Sequence, residues 1–170
     1  IKEFHKLSIH MFKIYRYTDS DEIVWDNFVS NANNGTLFHL RLFLNYHPHD
    51  RFLDHSLVIN KKGKLFSVFP AAEMNIDGKK YLISHPGSSF GSFVVPESLS
   101  IADAIDLAKS LISYCKQQKF DGIRITLPPI LYQKRLSNYM DFSFLKSNFI
   151  YLKREITSIL HLEKSLKLNF

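Results

Sequence analysis

A chain of 170 residues, 45% hydrophobic and with 15 phenylalanines, has the length of one domain and the apolar mass for a core, which excludes a disordered chain. Its formal charge of +6 is diffuse: Lys61-Lys62 and Lys79-Lys80 sit beside turn glycines, with no basic stripe and no RNA-binding aromatic motif. That weighs against nucleic-acid binding as the main activity and leaves a field that attracts anionic or nucleotide-linked substrates.

No apolar run reaches the roughly 18–20 residues of a membrane span, and no N-terminal segment reads as a secretion signal. The lone cysteine, Cys115, excludes an internal disulfide framework and fits a reducing cytoplasm. Residues 1–10 read as an extension ahead of Met11, where a natural start would lie. The far end stops inside an apolar-polar pattern, Leu160 to Phe170, so the chain reads as a fragment of a longer protein.

Phe12 to Tyr17 alternates apolar and basic residues, which predicts a first strand. Thr18, Asp19 and Ser20 offer helix caps, and Val24, Trp25, Phe28 and Val29 share one helical face. Asn31 to Gly35 ends that helix. Thr36 opens a second, with Leu40, Phe43, Leu44 and His47 on one stripe, and Pro48 stops it. Ser56–Ile59 and Lys64–Phe69 flank a turn closed by Gly63, and Asp77-Gly78 signals a second hairpin into Lys80–Ser84. Phe93 to Val95 reads as a short strand.

The helix after Ser100 is the best-determined element. Ile101, Ala104, Ile105, Ala108, Leu111, Ile112 and Cys115 keep the spacing of one buried face. Ser100 and Asp103 form an Asp variant of the capping box, and Gly122 breaks the helix. Ile123, Ile125 and Leu127 alternate with polar residues as a strand ended by Pro128-Pro129. Asp141–Phe149 predicts a short helix and Glu155–Leu162 a last strand.

Polar residues concentrate where a plain core would not place them. His47, His49, His55, Asp50 and Asp54 invite a metal site, but a closed zinc site needs about four ligands in fixed geometry, and these read as a solvated loop with His47 and Arg51 paired to local carboxylates. No metal is expected. In Ser84-His85-Pro86-Gly87-Ser88-Ser89-Phe90-Gly91, the glycines and proline shape a loop on which His85, Ser88 and Ser89 can meet a ligand. No nucleophile-elbow pattern accompanies them. His39 and Arg41, after the turn at Asn34-Gly35-Thr36, could hold an anionic or sugar group. Trp25 reads as core, Cys115 as inert and buried, and Asp121 with Arg124 as a surface pair.

These blocks carry a resemblance. Trp25-Asp26-x-Phe28-Val29, Asn34-Gly35-Thr36-Leu37-Phe38-His39, Tyr46-His47-x-x-x-Arg51-Phe52-x-Asp54-His55-Ser56-Leu57, Phe69-Pro70-Ala71 and the Ser84–Gly91 loop resemble the N-terminal half of GNAT-fold acyltransferases related to the Fem-type peptidoglycan-bridge aminoacyltransferases. Pro128–Tyr132 and Arg154–Ile159 extend the match, and Ser92 departs from it where a second glycine often follows Gly91. The resemblance implies an α/β (α+β) GNAT domain over residues 11–162, with a mixed, mostly antiparallel sheet flanked by helices. Residues 163–170 would begin a linker to a second GNAT unit. It implies acyl or aminoacyl transfer to an amine of a cell-envelope glycan, peptidoglycan or nucleotide-sugar precursor. The acceptor would be held by His39, Arg41, His47, Arg51, His85, Ser88 and Ser89, with no catalytic base assigned.

In that fold the acyl-CoA pyrophosphate lies on a glycine-rich turn opening the central helix, held by backbone N–H groups and the helix dipole. Here the turn is Val95-Pro-Glu-Ser-Leu-Ser100: no glycine, one residue without N–H, and Glu97 and Asp103 to repel phosphate. The acyl-CoA or aminoacyl-tRNA donor is therefore expected on the full-length protein and not on this unit alone. With the second unit absent, an exposed apolar face and self-association are expected. The alternative reading is a non-catalytic binding module of GNAT shape.

Overall fold

The computed structural model describes residues 12–48 and 50–156. Its sheet strands are β1 (Phe12–Arg16), β2 (Leu53–Asp54), β3 (Leu57–Lys61), β4 (Lys64–Phe69), β5 (Ala71–Ile76), β6 (Lys79–Ser84) and β7 (Gly122–Arg124); its helices are α1 (Glu22–Asn31), α2 (Arg41–Leu44), α3 (Ile101–Gln117) and α4 (Tyr139–Lys146). Strands β1-β3-β4 form one sheet and β2-β5-β6-β7 another; every pairing is antiparallel except β6 with β7. This is the mixed, mostly antiparallel, helix-flanked α/β architecture that the sequence implies.

The two sheets are halves of one surface, broken at a shared level. The chain passes from β2 to β3 through His55-Ser56, and from β4 to β5 through Pro70. Pro70 lacks the N–H of a regular ladder. At the break, Ser56 substitutes for strand pairing: its Oγ accepts from Ala71 N at 3.3 Å and donates to Ala71 O at 3.4 Å. Two neighbouring strands are thus interrupted, at His55-Ser56 and at Pro70, and β6 ends beside them at Ser84.

Both faces of the sheet are covered, so successive residues of β3 bury in different cores. Leu57 and Ile59 join Phe69, Leu82, Phe93, Leu107 and Leu111 under α3 and α4. Val58 joins Trp25, Val29, Leu44, Val68 and Val94 under α1 and α2. Trp25 is core, as its spacing predicts, and its Nε1 donates to the His39 carbonyl at 2.8 Å.

Several local expectations are corrected. The second helix is split: a 3-10 turn at Leu37–His39, an extended Leu40, then the single turn of α2. Phe93–Val95 makes one bridge only, Val68 to Val94, because the Asn34 side chain takes the flanking groups: it donates to Phe93 O and accepts from Val95 N, both at 2.8 Å. The strand at Ile123 stops at Arg124, since Thr126 N turns to the Ser84 hydroxyl at 2.8 Å and Thr126 O accepts from Gly91 N. The helix expected at Asp141–Phe149 runs Tyr139–Lys146.

Asp121 and Arg124 do not pair: Asp121 accepts from Lys80 N at 2.7 Å, and Arg124 lies over the Tyr81 ring. At α3 the Ser100 hydroxyl caps Asp103 N at 3.1 Å, but the Asp103 carboxylate turns to Lys61 at 2.5 Å. Of the last strand expected at Glu155–Leu162, Glu155 and Ile156 are irregular and the remainder lies outside the described residues, as do residues 1–10 and the linker at 163–170.

Candidate functional site

A cleft of about 530 Å³ lies on the α2 side of the sheet break, lined by the end of β1 (Arg16, Tyr17), the start of α1, the α2 turn, and Phe52, Asp54 and His85. Three sequence blocks meet here: the helix-start block through Arg41, the Tyr46–Leu57 block through His47 and Asp54, and the loop after β6 through His85.

Arg41 is the centre of the site. It is 3% exposed, and its guanidinium lies over the Tyr17 ring at 3.8 Å. Nη1 donates to the Ser56 hydroxyl at 3.1 Å, and Nη2 to Asn45 Oδ1 at 2.9 Å and Asp54 Oδ2 at 2.5 Å. A buried charge is tolerable only when paired and hydrogen-bonded, and the break at Ser56 supplies the means. Burial alone would raise the Asp54 carboxyl, but Arg41 and the Ser56 hydrogen bonds outweigh it and hold it below the ordinary range. Arg16 closes the arrangement by donating from Nη2 to the Asp54 carbonyl.

His47 and His85 form the opposite wall. Their rings stack with centroids 5.9 Å apart and planes 14° from parallel, and Phe52 meets both edge-on. His47 Nε2 donates to Gly87 O at 3.1 Å, which leaves its Nδ1 as the acceptor nitrogen. His85 Nδ1 accepts from Gly87 N at 3.3 Å, so its Nε2 carries the hydrogen. Burial holds His85 at about 4, with Asp54 opposing and His47 and Arg41 assisting. Its ring is neutral near pH 7 and acts as a donor.

The other residues singled out in the sequence lie elsewhere. His39 is fully buried; Nδ1 accepts from Thr36 N at 3.1 Å and Nε2 donates to Gly91 O at 3.2 Å, and burial holds it at about 4. It closes the Thr36 cap and anchors the Gly91 turn. Arg51 is exposed and lies over the Phe52 ring. Ser88 donates to Phe38 O at 3.4 Å, and Ser89 lines a separate groove. That groove, of about 1260 Å³, runs between β7 and α4 as far as Glu155, and its walls carry the exposed Ile130, Leu145, Ile150 and Leu152.

His55 points to the α3 face instead of the cleft. Its Nδ1 donates to Glu73 at 2.6 Å and its Nε2 accepts from the Tyr114 hydroxyl at 2.8 Å. His47 and Asp54 therefore line the cleft while His55 faces away from it; His49 lies outside the described residues, and among the described residues no three metal-ligating side chains converge. Sequence reading missed Tyr17, Asn45 and Phe52 as lining, and Asp54 as the partner of Arg41. The available signal was period two: Asp54 and Ser56 fall on one strand face and His55 on the other.

At the start of α3 the charges differ from the sequence expectation. Asp103 is neutralised by Lys61, Glu97 lies 3.9 Å from Lys134, and Arg135 donates to the Leu99 carbonyl at 2.6 Å. The repulsion expected of an anion at this terminus is thus reduced at Asp103 and little changed at Glu97, whose pair with Lys134 is long and half-exposed, while the absence of glycine and the Ser100 cap remain.

No family model matches the chain, and no curated protein matches it by sequence. Solved structures do. A GNAT family acetyltransferase from Staphylococcus aureus superposes with a TM-score of 0.52 at 12% identity, over 88% of this chain and 99% of that one. A possible acetyltransferase from Clostridium difficile 630 gives 0.51 at 13% identity, over 90% and 99%. An aminoglycoside acetyltransferase from an uncultured soil metagenomic sample gives 0.51 at 8% identity, over 92% and 99%. At such identities the likeness is one of fold: the chain has the fold of these acetyltransferases.

Proposed function

We propose that this chain is an acyltransferase unit that holds a small polar amine in the cleft between Arg41–Asp54 and His47–His85 and transfers an acyl group to it. The observation that carries the reading is the assembly of three separate sequence blocks into one polar cleft on an acetyltransferase fold. An aminoglycoside acetyltransferase among the structural neighbours supports a small-molecule acceptor. The finer expectation, a cell-envelope glycan, peptidoglycan or nucleotide-sugar acceptor of a Fem-type enzyme, rests on the sequence blocks.

In the transfer, the amine nitrogen attacks the carbonyl carbon of an acyl thioester. The C–N bond forms as the C–S bond breaks, one proton leaves the nitrogen and one joins the departing thiolate. His47 is our choice to take the proton at Nδ1, because Gly87 keeps the hydrogen on Nε2. The His85 Nε2–H, Arg41 and Asp54 position the acceptor.

Pairing of Asp103 with Lys61 at the start of α3 supports an acyl-CoA donor held by this chain. The glycine-free turn and the Ser100 cap favour a second reading, in which the chain is an acceptor-side unit and the acyl-CoA or aminoacyl-tRNA is held by a further unit. Calorimetric titration with acetyl-CoA, paired with a thiol-release assay over a panel of amines, decides between them. Saturable binding with amine-dependent thiol release supports the first. Amine binding without binding of acetyl-CoA supports the second. Failure of both ligands to bind overturns the acyltransferase reading.

A further inference from the structure

Arg41 opens α2, a helix of four residues, and a single helical turn has little stability of its own. Leu40 before it is extended, at φ −73° and ψ 142°, so the chain breaks between the 3-10 turn and α2. The His39 carbonyl and the Arg41 N–H flank that break. Two successive residues of α1 take them: Trp25 Nε1 donates to His39 O, and Asp26 Oδ1 accepts from Arg41 N, both at 2.8 Å. Trp25 also backs the far end of Arg41. Its ring meets Tyr17 edge-on with centroids 5.3 Å apart, and the guanidinium lies 3.8 Å over Tyr17 and 5.5 Å from the Trp25 ring. The Trp25-Asp26 block thus fixes Arg41 at its main chain and at its head.

The Arg41 head is spent inside the protein, and what it presents to the cleft is Asp54. The Asp54 side chain lines the cleft and is 35% exposed. Its Oδ1 accepts from Ser56 N at 2.7 Å and its Oδ2 from Arg41 Nη2 at 2.5 Å. Each oxygen keeps a further lone pair, so a carboxylate held in this way can still accept from an amine.

We infer that Asp26 is a positioning residue of the cleft: it holds Arg41 by the main chain, Arg41 holds the Asp54 carboxylate, and that carboxylate receives the amine. The last link rests on the cleft being the acceptor site. A staple that only joined α1 to α2 would cost stability when cut and leave Asp54 as it was.

The test therefore reads Asp54 itself, by NMR titration of its carboxyl carbon in the full chain. In the wild type it titrates below the ordinary range. Asp26→Ala should raise it by about one pH unit, as Arg41 withdraws while the Ser56 N–H stays. The sign is diagnostic, because loss of a nearby negative charge by itself would lower a carboxyl. Asp26→Asn keeps an accepting oxygen and should restore the wild-type titration. The other groups facing Asp54, Arg16 at its carbonyl and the neutral His85 ring, are the same in all variants. Calorimetry with glucosamine as the amine probe should show binding about ten-fold weaker in Asp26→Ala and restored in Asp26→Asn. If circular dichroism shows that Asp26→Ala does not fold, Trp25→Phe removes the Nε1 donor, keeps an aromatic ring and should move Asp54 in the same direction.

An Asp54 titration unchanged or lowered in the folded variant overturns the inference, and so does failure of Asp26→Asn to restore it. Absence of glucosamine binding to the wild type at about 10 mM overturns the placing of the amine on Asp54, and the titration still decides the role of Asp26. Absence of thiol release from acetyl-CoA over the amine panel sinks the acyl-transfer reading alone.

Discussion

His47 donates its Nε2 hydrogen to the carbonyl of Gly87 at 3.1 Å, across 40 positions of sequence. This bond fixes the tautomer of the one cleft histidine left with an open acceptor nitrogen. It also leaves no room at Gly87: a Cβ there would lie 2.3 Å from His47 Nε2 and 2.8 Å from the Phe52 ring. Glycine is required here by close approach, since Gly87 is not in the left-handed region.

Gly87→Ala should therefore displace His47 and Phe52 together. Overpacking of this kind costs about 1–3 kcal/mol, read by denaturant unfolding, and probe affinity should fall with it. Wild-type affinity in Gly87→Ala would show that the stacked histidine wall is not part of the binding site.

Ser92 is buried and holds φ at 78°, a region L-residues occupy with strain. It is also the position where the resembling sequences often carry a second glycine. Ser92→Gly should raise stability by about 1 kcal/mol, seen as a higher denaturant midpoint at unchanged slope. A lower midpoint would mean that the serine side chain contributes more than the strain costs.

Removing Arg41 should be costly in a way that depends on Asp54. Arg41→Met leaves the carboxylate beside an apolar chain, a loss of about 3 kcal/mol, at the low end for buried pairs because the Asp54 side chain is 35% exposed. Adding Asp54→Asn should recover part of that loss. A double variant whose loss equals the sum of the Arg41→Met and Asp54→Asn losses would mean the ion pair adds no coupling.

Acid should unfold the protein earlier than its surface carboxylates alone would. His39 and His85 have folded values of about 4 against an ordinary 6.5, both lowered first by burial. The unfolded chain takes up these protons first, so the contribution is full above about pH 6.5 and is lost as pH falls toward 4, at roughly 3 kcal/mol per histidine. Asp54 and Glu73, both held below their ordinary values, extend the loss to lower pH. Urea unfolding from pH 7 to 4.5 tests this, and His39→Gln should flatten the dependence if it folds. A flat wild-type profile would show that these rings are charged in the folded state.

Cys115 is 3% exposed, with its thiol pushed up to about 12 by burial. It should resist a thiol reagent in the native protein and react fully in denaturant. Rapid native labelling would place it at an opening of the α3 face.

Much of this was legible in one dimension. The span of α3, the strands around Gly63 and Gly78 and the burial of Trp25 follow from local periodicity and turn chemistry, but the buried face of α3 is Ala104, Leu107, Ala108, Leu111 and Cys115, with Ile101 exposed and Ile105 and Ile112 half-buried. So did the polar blocks that supply Arg41, His47 and His85. Their placement was not legible. Arg41 is consumed by Asp54, Ser56 and Asn45, and His39 by Thr36 and Gly91, because a buried polar group must find partners wherever the fold brings them.

The sequence by itself determined the first strand, the long helix after Ser100 and the hairpins at Gly63 and Gly78, since those depend on neighbours within a few positions. Only the tertiary structure decided that Asn34 replaces a strand partner, that Asp121 ignores Arg124, and that one histidine of the Tyr46–Leu57 block faces the cleft while another faces Glu73. The last of these depends on the interruption between β2 and β3 at His55-Ser56. The break is set by contacts between residues far apart in the chain, which no local pattern encodes.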